Sequence, residues 1–103
     1  MEERLLAILR LALLHKANDI HITSGDDKLL VQIRIEGKLI RVKTFDCDKK
    51  IIRYLQYLSN MDTGVLNVPQ TRQFEVDVDG KKLNLRFAAL KTTGFETGVL
   101  RIL

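Results

Sequence analysis

The stretch that decides the fold is ANDIHI at residues 17–22, followed by QIRIEG at residues 32–37. In the first segment the isoleucines alternate with Asp19 and His21, and a period of two residues is typical of a strand with one buried face. The second segment alternates in the same way and ends at Gly37, where glycine supplies the positive φ that a two-residue turn needs. The pair predicts two strands, the second of which opens a hairpin.

The rest of the chain predicts two helices and a second hairpin. Apolar side chains recur at helical spacing over residues 2–16 and again from about Asp48 to Asn60. Asp79-Gly80 is a turn between two alternating segments. We expect strands at residues 18–23, 29–35, 38–45, 72–78, 82–90 and 99–103, with a loop over 92–98. Strands grouped after each helix and joined by tight hairpins argue for α+β. The expected architecture is a PAS-like antiparallel sheet with two helices packed on one face.

The first helix has one broad apolar face and a smaller patch beside it. Leu11 and Leu14 form the small patch because they fall off the main stripe. Such a patch packs against the next loop or meets a partner, and both readings stay open. The main face is expected to consist of Leu5, Leu6, Ile8, Leu9, Ala12 and Leu13.

Length and composition indicate one globular domain over residues 1–103. A single cysteine, Cys47, fits a reducing compartment, and no apolar run is long enough for a membrane span, so we expect a cytoplasmic location. The net charge is +4. A basic cluster is either a solvated face or a surface for phosphates, an anionic membrane or an acidic partner. Its members are Arg34, Lys38, Arg41, Lys43, Lys49, Lys50 and Arg53.

The motifs of nucleotide hydrolysis and metal binding do not occur in this sequence. No glycine opens a G-x-x-x-x-G-K-[ST] run, so the domain is not expected to hydrolyse ATP by that route. The spacing of His15 and His21 makes no metal site, and no cysteine pair supports one. His21 is expected to be an exposed or hydrogen-bonded strand residue. We predict no catalytic residue, cofactor or metal in this domain.

Three arginines stand out on the predicted strands. Arg34 and Arg86 have apolar neighbours on both sides, and Arg101 lies in the otherwise apolar segment VLRIL at residues 99–103. Each is either a surface salt bridge to an acid of a neighbouring strand or a guanidinium fork aimed at phosphate.

Four segments in order resemble the N-terminal domain of type II secretion and type IV pilus assembly ATPases, most of all those of Gram-positive competence pili. They are ANDIHI with QIRIEG, then LSNMDTG at 58–64 with VPQ at 68–70, then LNLRFAAL at 83–90, and finally GVLRIL at 98–103. In that family the domain has a PAS-like fold and is linked to a RecA-like ATPase domain, where ATP and Mg²⁺ bind. The chain is therefore expected to be a domain of a longer motor protein.

The resemblance implies a regulatory and oligomerisation role. Such a domain packs on the ATPase domain of a neighbouring subunit in a hexameric ring. It transmits motion to an integral-membrane platform protein for competence pseudopilus assembly and DNA uptake, at the inner face of the cell membrane. By resemblance, the residues near the nucleotide or the subunit boundary are Arg34, Arg86 and Arg101.

Two alternatives come from other functional classes. A free-standing PAS-like sensor would bind a small ligand among convergent polar groups in its core, whereas the inward positions predicted here are apolar. A small basic nucleic-acid-binding module would bind DNA in a salt-dependent way. Because aromatic side chains that could stack on bases are scarce near the basic cluster, no direct contact with nucleic acid is expected.

Overall fold

The computed structural model describes residues 2–25, 28–42 and 50–103. Two helices and six strands form the α+β fold that the sequence predicts. Their order is α1 (Glu2–Leu14), β1 (Asp19–Gly25), β2 (Lys28–Ile35), β3 (Lys38–Arg41), α2 (Lys50–Leu58), β4 (Gln70–Val78), β5 (Lys81–Lys91) and β6 (Phe95–Ile102). The expected start of the second helix at Asp48, together with Cys47, Lys43 and Lys49, lies outside the described residues.

The strands form one antiparallel sheet in the order β3-β2-β1-β6-β5-β4. The two predicted hairpins turn at the expected residues. Glu36 and Gly37 have φ values of 50° and 81°, and Asp79 and Gly80 have φ values of 51° and 83°. Positive φ at both central residues defines the turn that matches the twist of paired strands. The register therefore follows from these two short sequences.

Both helices pack on the same face of the sheet. Alternate strand residues point to that face and join the helices in one apolar cluster. Full removal of such side chains from water is the main source of stability in a domain of this size. The fully buried members include Leu9 and Ala12 of α1, Ile51 and Leu55 of α2, and Ile20, Ile22, Val31, Leu85, Phe87 and Leu100 of the sheet.

Each helix ends in a left-handed residue followed by a buried apolar one. Lys16 and Asn60 have φ values of 55° and 57°. The amide of Ala17 donates to the Ala12 carbonyl at 2.8 Å, in the pattern that closes a helix C-terminus. This turn explains why the predicted burial of Leu13 is wrong. The chain leaves the helix at Lys16, and Ala17 enters the core, so Leu13 in the last turn stays 42% exposed.

The last strand is longer than the sequence predicts. β6 begins at Phe95, so the expected loop over 92–98 is wrong in its second half. Glu96 and Gly98 interrupt the apolar pattern of this segment, but β6 lies between β1 and β5 and pairs with both. Gly98 packs directly under the buried ring of Phe87. A central position in the sheet outweighs the weak strand propensity of Glu96 and Gly98.

The predicted basic cluster is divided between the two faces of the sheet. Arg53 of α2 forms a two-point ion pair with Glu96 on β6, with N–O distances of 2.6 and 2.8 Å. Its Nη1 also donates to Gln56 at 2.9 Å. Arg53 therefore fastens α2 to the sheet, whereas Arg34 lies on a strand position that faces the other way.

Candidate functional site: an arginine row on the open face

One face of the sheet carries no helix from residues 2–25, 28–42 and 50–103, and we call it the open face. Its residues are the alternate strand positions that do not contribute to the apolar cluster. In β1 these include Asp19 and His21, because Ile20 and Ile22 are buried against the helices. The register then assigns Arg34, Arg86 and Arg101 to the same face.

Four of these residues form a continuous row across the four strands β2, β1, β6 and β5. Asp19 is the register partner of Arg101, and Arg101 is in turn the partner of Arg86. The pairing of Ile20 with Ile33 places Arg34 on the other side of Asp19. We call Arg34, Asp19, Arg101 and Arg86 the arginine row. Asp19 and Arg101, which are 82 positions apart in sequence, are thus neighbours on one surface.

Asp19 and Arg101 form the tightest contact of the row. Nε of Arg101 donates to Oδ1 of Asp19 at 2.8 Å, and Nη2 donates to Oδ2 at 3.3 Å. The hydrogen bond from Arg101, together with its charge, holds the pKa of the Asp19 carboxyl below its ordinary value of 3.8. The same contact raises the pKa of Arg101. A two-point contact between a guanidinium and a carboxylate fixes the orientation of both groups.

Arg34 is held at the hairpin end of the row. Its Nη1 donates to the carbonyl of Gly37 at 3.1 Å, and its Nε lies 3.8 Å from Oδ2 of Asp19. The side chain therefore lies over its own turn.

Arg86 differs from the other two arginines. Within the described ranges the structure records no hydrogen bond or ion pair for its guanidinium, although the side chain is half-buried. It lines a shallow depression of about 330 Å³ together with Thr71, Ala88, Val99 and Arg101. Two guanidinium groups beside a hydroxyl and small apolar side chains make a site suited to an oxyanion.

His21 lies in the next row of the open face, opposite Gln32 and Val99. The side chain is half-buried, and its Nε2 is buried without a hydrogen-bond partner in the part of the chain that the structure describes. The expectation of an exposed or hydrogen-bonded histidine is therefore wrong. No group of three potential metal ligands occurs among the described residues.

Asp19 is the residue of the site that sequence reasoning missed. The alternation places it on the correct face. The predicted salt bridge to an acid of a neighbouring strand is confirmed for Arg101 and Arg34, but the sequence does not show that Asp19 is this acid. A signal was present, since Asp19 and the three arginines each lie one position away from an inward-facing apolar residue. The arginines were found separately because the partner strands of β6 are not evident from local sequence.

The predicted patch of Leu11 and Leu14 is divided by the structure. Leu14 is 76% exposed, whereas Leu11 is half-buried and packs against the apolar cluster. The second exposed leucine at this end of α1 is Leu13, and not Leu11 as the sequence predicts.

Leu11 and Leu14 should differ in their effect on stability. Leu14→Ser should change the free energy of unfolding by less than about 0.5 kcal/mol, because the side chain is already in water. Leu11→Ser should lower it by about 1–2 kcal/mol, since part of an apolar side chain is lost from the cluster. Urea denaturation of both variants measures the difference, and equal effects would contradict this assignment.

Acid should destabilise the domain partly through Asp19. Because its pKa is lower in the folded state, Asp19 adds stability above the unfolded-state pKa of 3.8, and this contribution is lost as the pH falls through the folded-state pKa. We expect the free energy of unfolding of Asp19→Asn to fall less between pH 5 and pH 2 than that of the wild type. Asp79, whose pKa Arg10 also lowers, retains its contribution in the variant. Parallel pH profiles would contradict the expectation.

Comparison with known proteins places this sheet in a family. The model of the type II/IV secretion system proteins matches residues 1–103. The chain belongs to the type II/IV secretion system protein family. The family match covers residues 1–103 and therefore includes every residue of the arginine row.

Three of these relatives illustrate the range of the family. A "Protein transport protein HofB homolog" of Escherichia coli K12 is 34% identical over 98% of this chain and 22% of its own length. The "Type II secretion system protein E" of Dickeya dadantii is 28% identical over 94% of this chain and 20% of its own. The "Competence protein ComGA" of Bacillus subtilis is 27% identical over 89% of this chain and 26% of its own.

This chain thus spans about a fifth to a quarter of the length of those relatives. The sequence match to each relative is confined to this share of its length. Neither helix among the described residues is long and apolar enough to cross a membrane.

Proposed function

We propose that this domain is the N-terminal regulatory and oligomerisation domain of a hexameric ATPase that powers competence pseudopilus assembly and DNA uptake. In this role the open face packs on the nucleotide-binding domain of a neighbouring subunit. Movement of the domain carries the energy of ATP hydrolysis to an integral-membrane platform protein at the inner face of the cell membrane. ATP and Mg²⁺ bind to the ATPase domain of the full-length protein.

The observation that carries the proposal is the arginine row itself. Arginines of three different strands lie in one row with Asp19, on the sheet face that carries no helix among the described residues. A guanidinium at a subunit boundary can bridge to a carboxylate or a phosphate of the neighbour. Membership in the secretion family supports the same role, since a relative named as a competence protein matches 89% of the chain.

The alternative of a ligand sensor has less support. Among the described residues, the buried side chains are apolar except for Ser24, Gln56 and Ser59. Gln56 accepts a hydrogen bond from Arg53, and Ser59 donates to the Gln56 carbonyl. An internal ligand site needs polar groups that converge on a cavity. The guanidinium of Arg86, for which no partner is recorded in the described ranges, lies on the open face instead.

Filling the depression of the open face tests the proposed packing. Ala88→Trp places an indole between Thr71 and Val99, the register partners of Ala88 on either side. We expect the full-length protein carrying this change to need an about tenfold higher concentration for half of it to form rings, because the bulky side chain prevents close approach of a neighbour. Mass photometry over a range of protein concentrations measures the loss.

The control separates assembly from folding. The melting temperature of the 103-residue domain should be nearly the same for Ala88→Trp and the wild type. Tyr57→Ala, on the exposed surface of α2, should leave ring formation unchanged. Normal rings from the Ala88→Trp protein would show that the open face is not the packing surface.

A further inference from the structure

Positive charge on the arginine row is only partly neutralised. Its three arginines face one carboxylate, Asp19, whose side chain is 15% exposed. Both oxygens of this carboxylate are in use, since Oδ1 accepts from Arg101 at 2.8 Å and Oδ2 lies 3.3 and 3.8 Å from nitrogens of Arg101 and Arg34. Asp19 is therefore the internal counter-ion of Arg101 and Arg34, and no carboxylate partner is recorded for Arg86 in the described ranges.

The neighbouring pair Arg86 and Arg101 lacks such a counter-ion between its members. They are direct cross-strand partners, and like charges at directly opposite positions destabilise a sheet. The guanidinium of Arg101 is turned towards Asp19, which reduces the repulsion, and Arg86 is the lining guanidinium that has no recorded partner among the described residues. An oxyanion bound there would accept hydrogen bonds from Arg86 at once. The Nε and Nη2 edge of Arg101 is held by Asp19, so the anion gains a two-point contact with that edge only if Arg101 leaves the carboxylate.

We propose that Asp19 sets the affinity of this site for phosphate-type oxyanions by competing with them for Arg101. Asp19 is a positioning residue, and Arg86 is the first contact of the incoming anion. The inference rests on the proposed role of the arginine row in contacting an anionic group of a neighbour. Beyond that role, we infer that the affinity of the row for oxyanions is regulated, since the row binds them weakly as long as the contact between Asp19 and Arg101 is intact.

Titration of the 103-residue domain with inorganic pyrophosphate tests this competition. The domain has its own apolar core, and we expect it to be soluble without its neighbours. Changes in the amide and arginine Nε–H signals of its NMR spectra measure the binding. Asp19→Asn should bind pyrophosphate roughly tenfold more tightly than the wild type at constant ionic strength. Arg86→Gln should lower the affinity at least tenfold in both backgrounds.

Two further variants exclude a general effect of charge. Asp79→Asn removes an aspartate that makes a two-point contact with Arg10. Asp79 lies in the turn between β4 and β5, away from the arginine row. Asp79→Asn has the same change in net charge and should leave pyrophosphate affinity within about twofold of the wild type. Asp19→Glu restores a carboxylate and should restore weak binding, and the Arg101 Nε–H signal should shift in Asp19→Asn only.

The outcomes distinguish this inference from the proposed function. Equal affinities of Asp19→Asn and the wild type, or no detectable binding to Asp19→Asn, would overturn the competition. An equal gain in affinity from Asp79→Asn would also overturn it, since general charge would then explain the result. Ring formation is not part of this titration, so intact or lost rings in the Ala88→Trp experiment bear on the proposed packing alone.

Discussion

Alanine at position 98 should lower the free energy of unfolding of the domain by about 1–3 kcal/mol, the usual cost of overpacking a core. A Cβ on Gly98 would lie 2.5 Å from Cε1 and 2.8 Å from Cζ of Phe87. The ring of Phe87 is fully buried in the apolar cluster, so it cannot move aside without displacing its neighbours. Urea denaturation followed by circular dichroism measures the loss.

A matched glycine and a second substitution test the cause. Gly25, also in a strand, has nothing within 4 Å of an added Cβ, and Gly25→Ala should change stability by less than about 0.5 kcal/mol. Combining Gly98→Ala with Phe87→Leu should cost less than the sum of the two single changes, because the smaller side chain makes room. Additive costs would show that the contact between residues 98 and 87 is not the origin of the effect.

Under the proposed function, Arg86→Ala should lower ATP hydrolysis by the assembled full-length protein about 100-fold. Among the three arginines of the row, Arg86 is the one whose guanidinium has no recorded partner in the described parts of the chain, so it is available to a group on a neighbouring subunit. Loss of one preorganised positive group that stabilises developing charge has an effect of this size. Steady-state hydrolysis measured on isolated rings separates the rate from the amount of assembly.

The matched control is an arginine on the same hairpin. Arg72 lies on β4, is exposed, and belongs to the opposite face of the sheet, because it pairs with Phe87. Arg72→Ala should leave hydrolysis within about twofold of the wild type. Arg34→Ala should have a smaller effect than Arg86→Ala, since Arg34 is held over Gly37. Full activity of rings that carry Arg86→Ala would show that Arg86 does not act on the nucleotide site of a neighbouring subunit.

Local sequence was enough to predict the hairpins and the inward faces of most strands. Asp79-Gly80 and Glu36-Gly37 fix their turns by the backbone geometry that glycine allows, and alternation then assigns each side chain to a face. The start of β6 could not be predicted in this way. Glu96 and Gly98 have little strand propensity, and they are in a strand because β1 and β5 pair with them on both sides.

The candidate site was predicted only as separate residues. Each arginine could be placed on a strand, but the order of strands brings Arg34 and Arg101 to either side of Asp19, and that order depends on long-range pairing. The exposure of Leu13 also depends on a feature that the helical period does not show. A helical period assigns it to the buried face, but the turn at Lys16 decides where the helix leaves the core.

The central claim is that the open face of the sheet is covered by a neighbouring subunit in the assembled protein. Maleimide labelling of a cysteine at position 88 tests this claim most directly, in a full-length protein with Cys47→Ser. We predict that Ala88→Cys reacts at least tenfold more slowly in isolated rings than in the 103-residue domain, while Tyr57→Cys on the helical side reacts equally fast in both. Equal rates at position 88 in rings and in the domain would contradict the account.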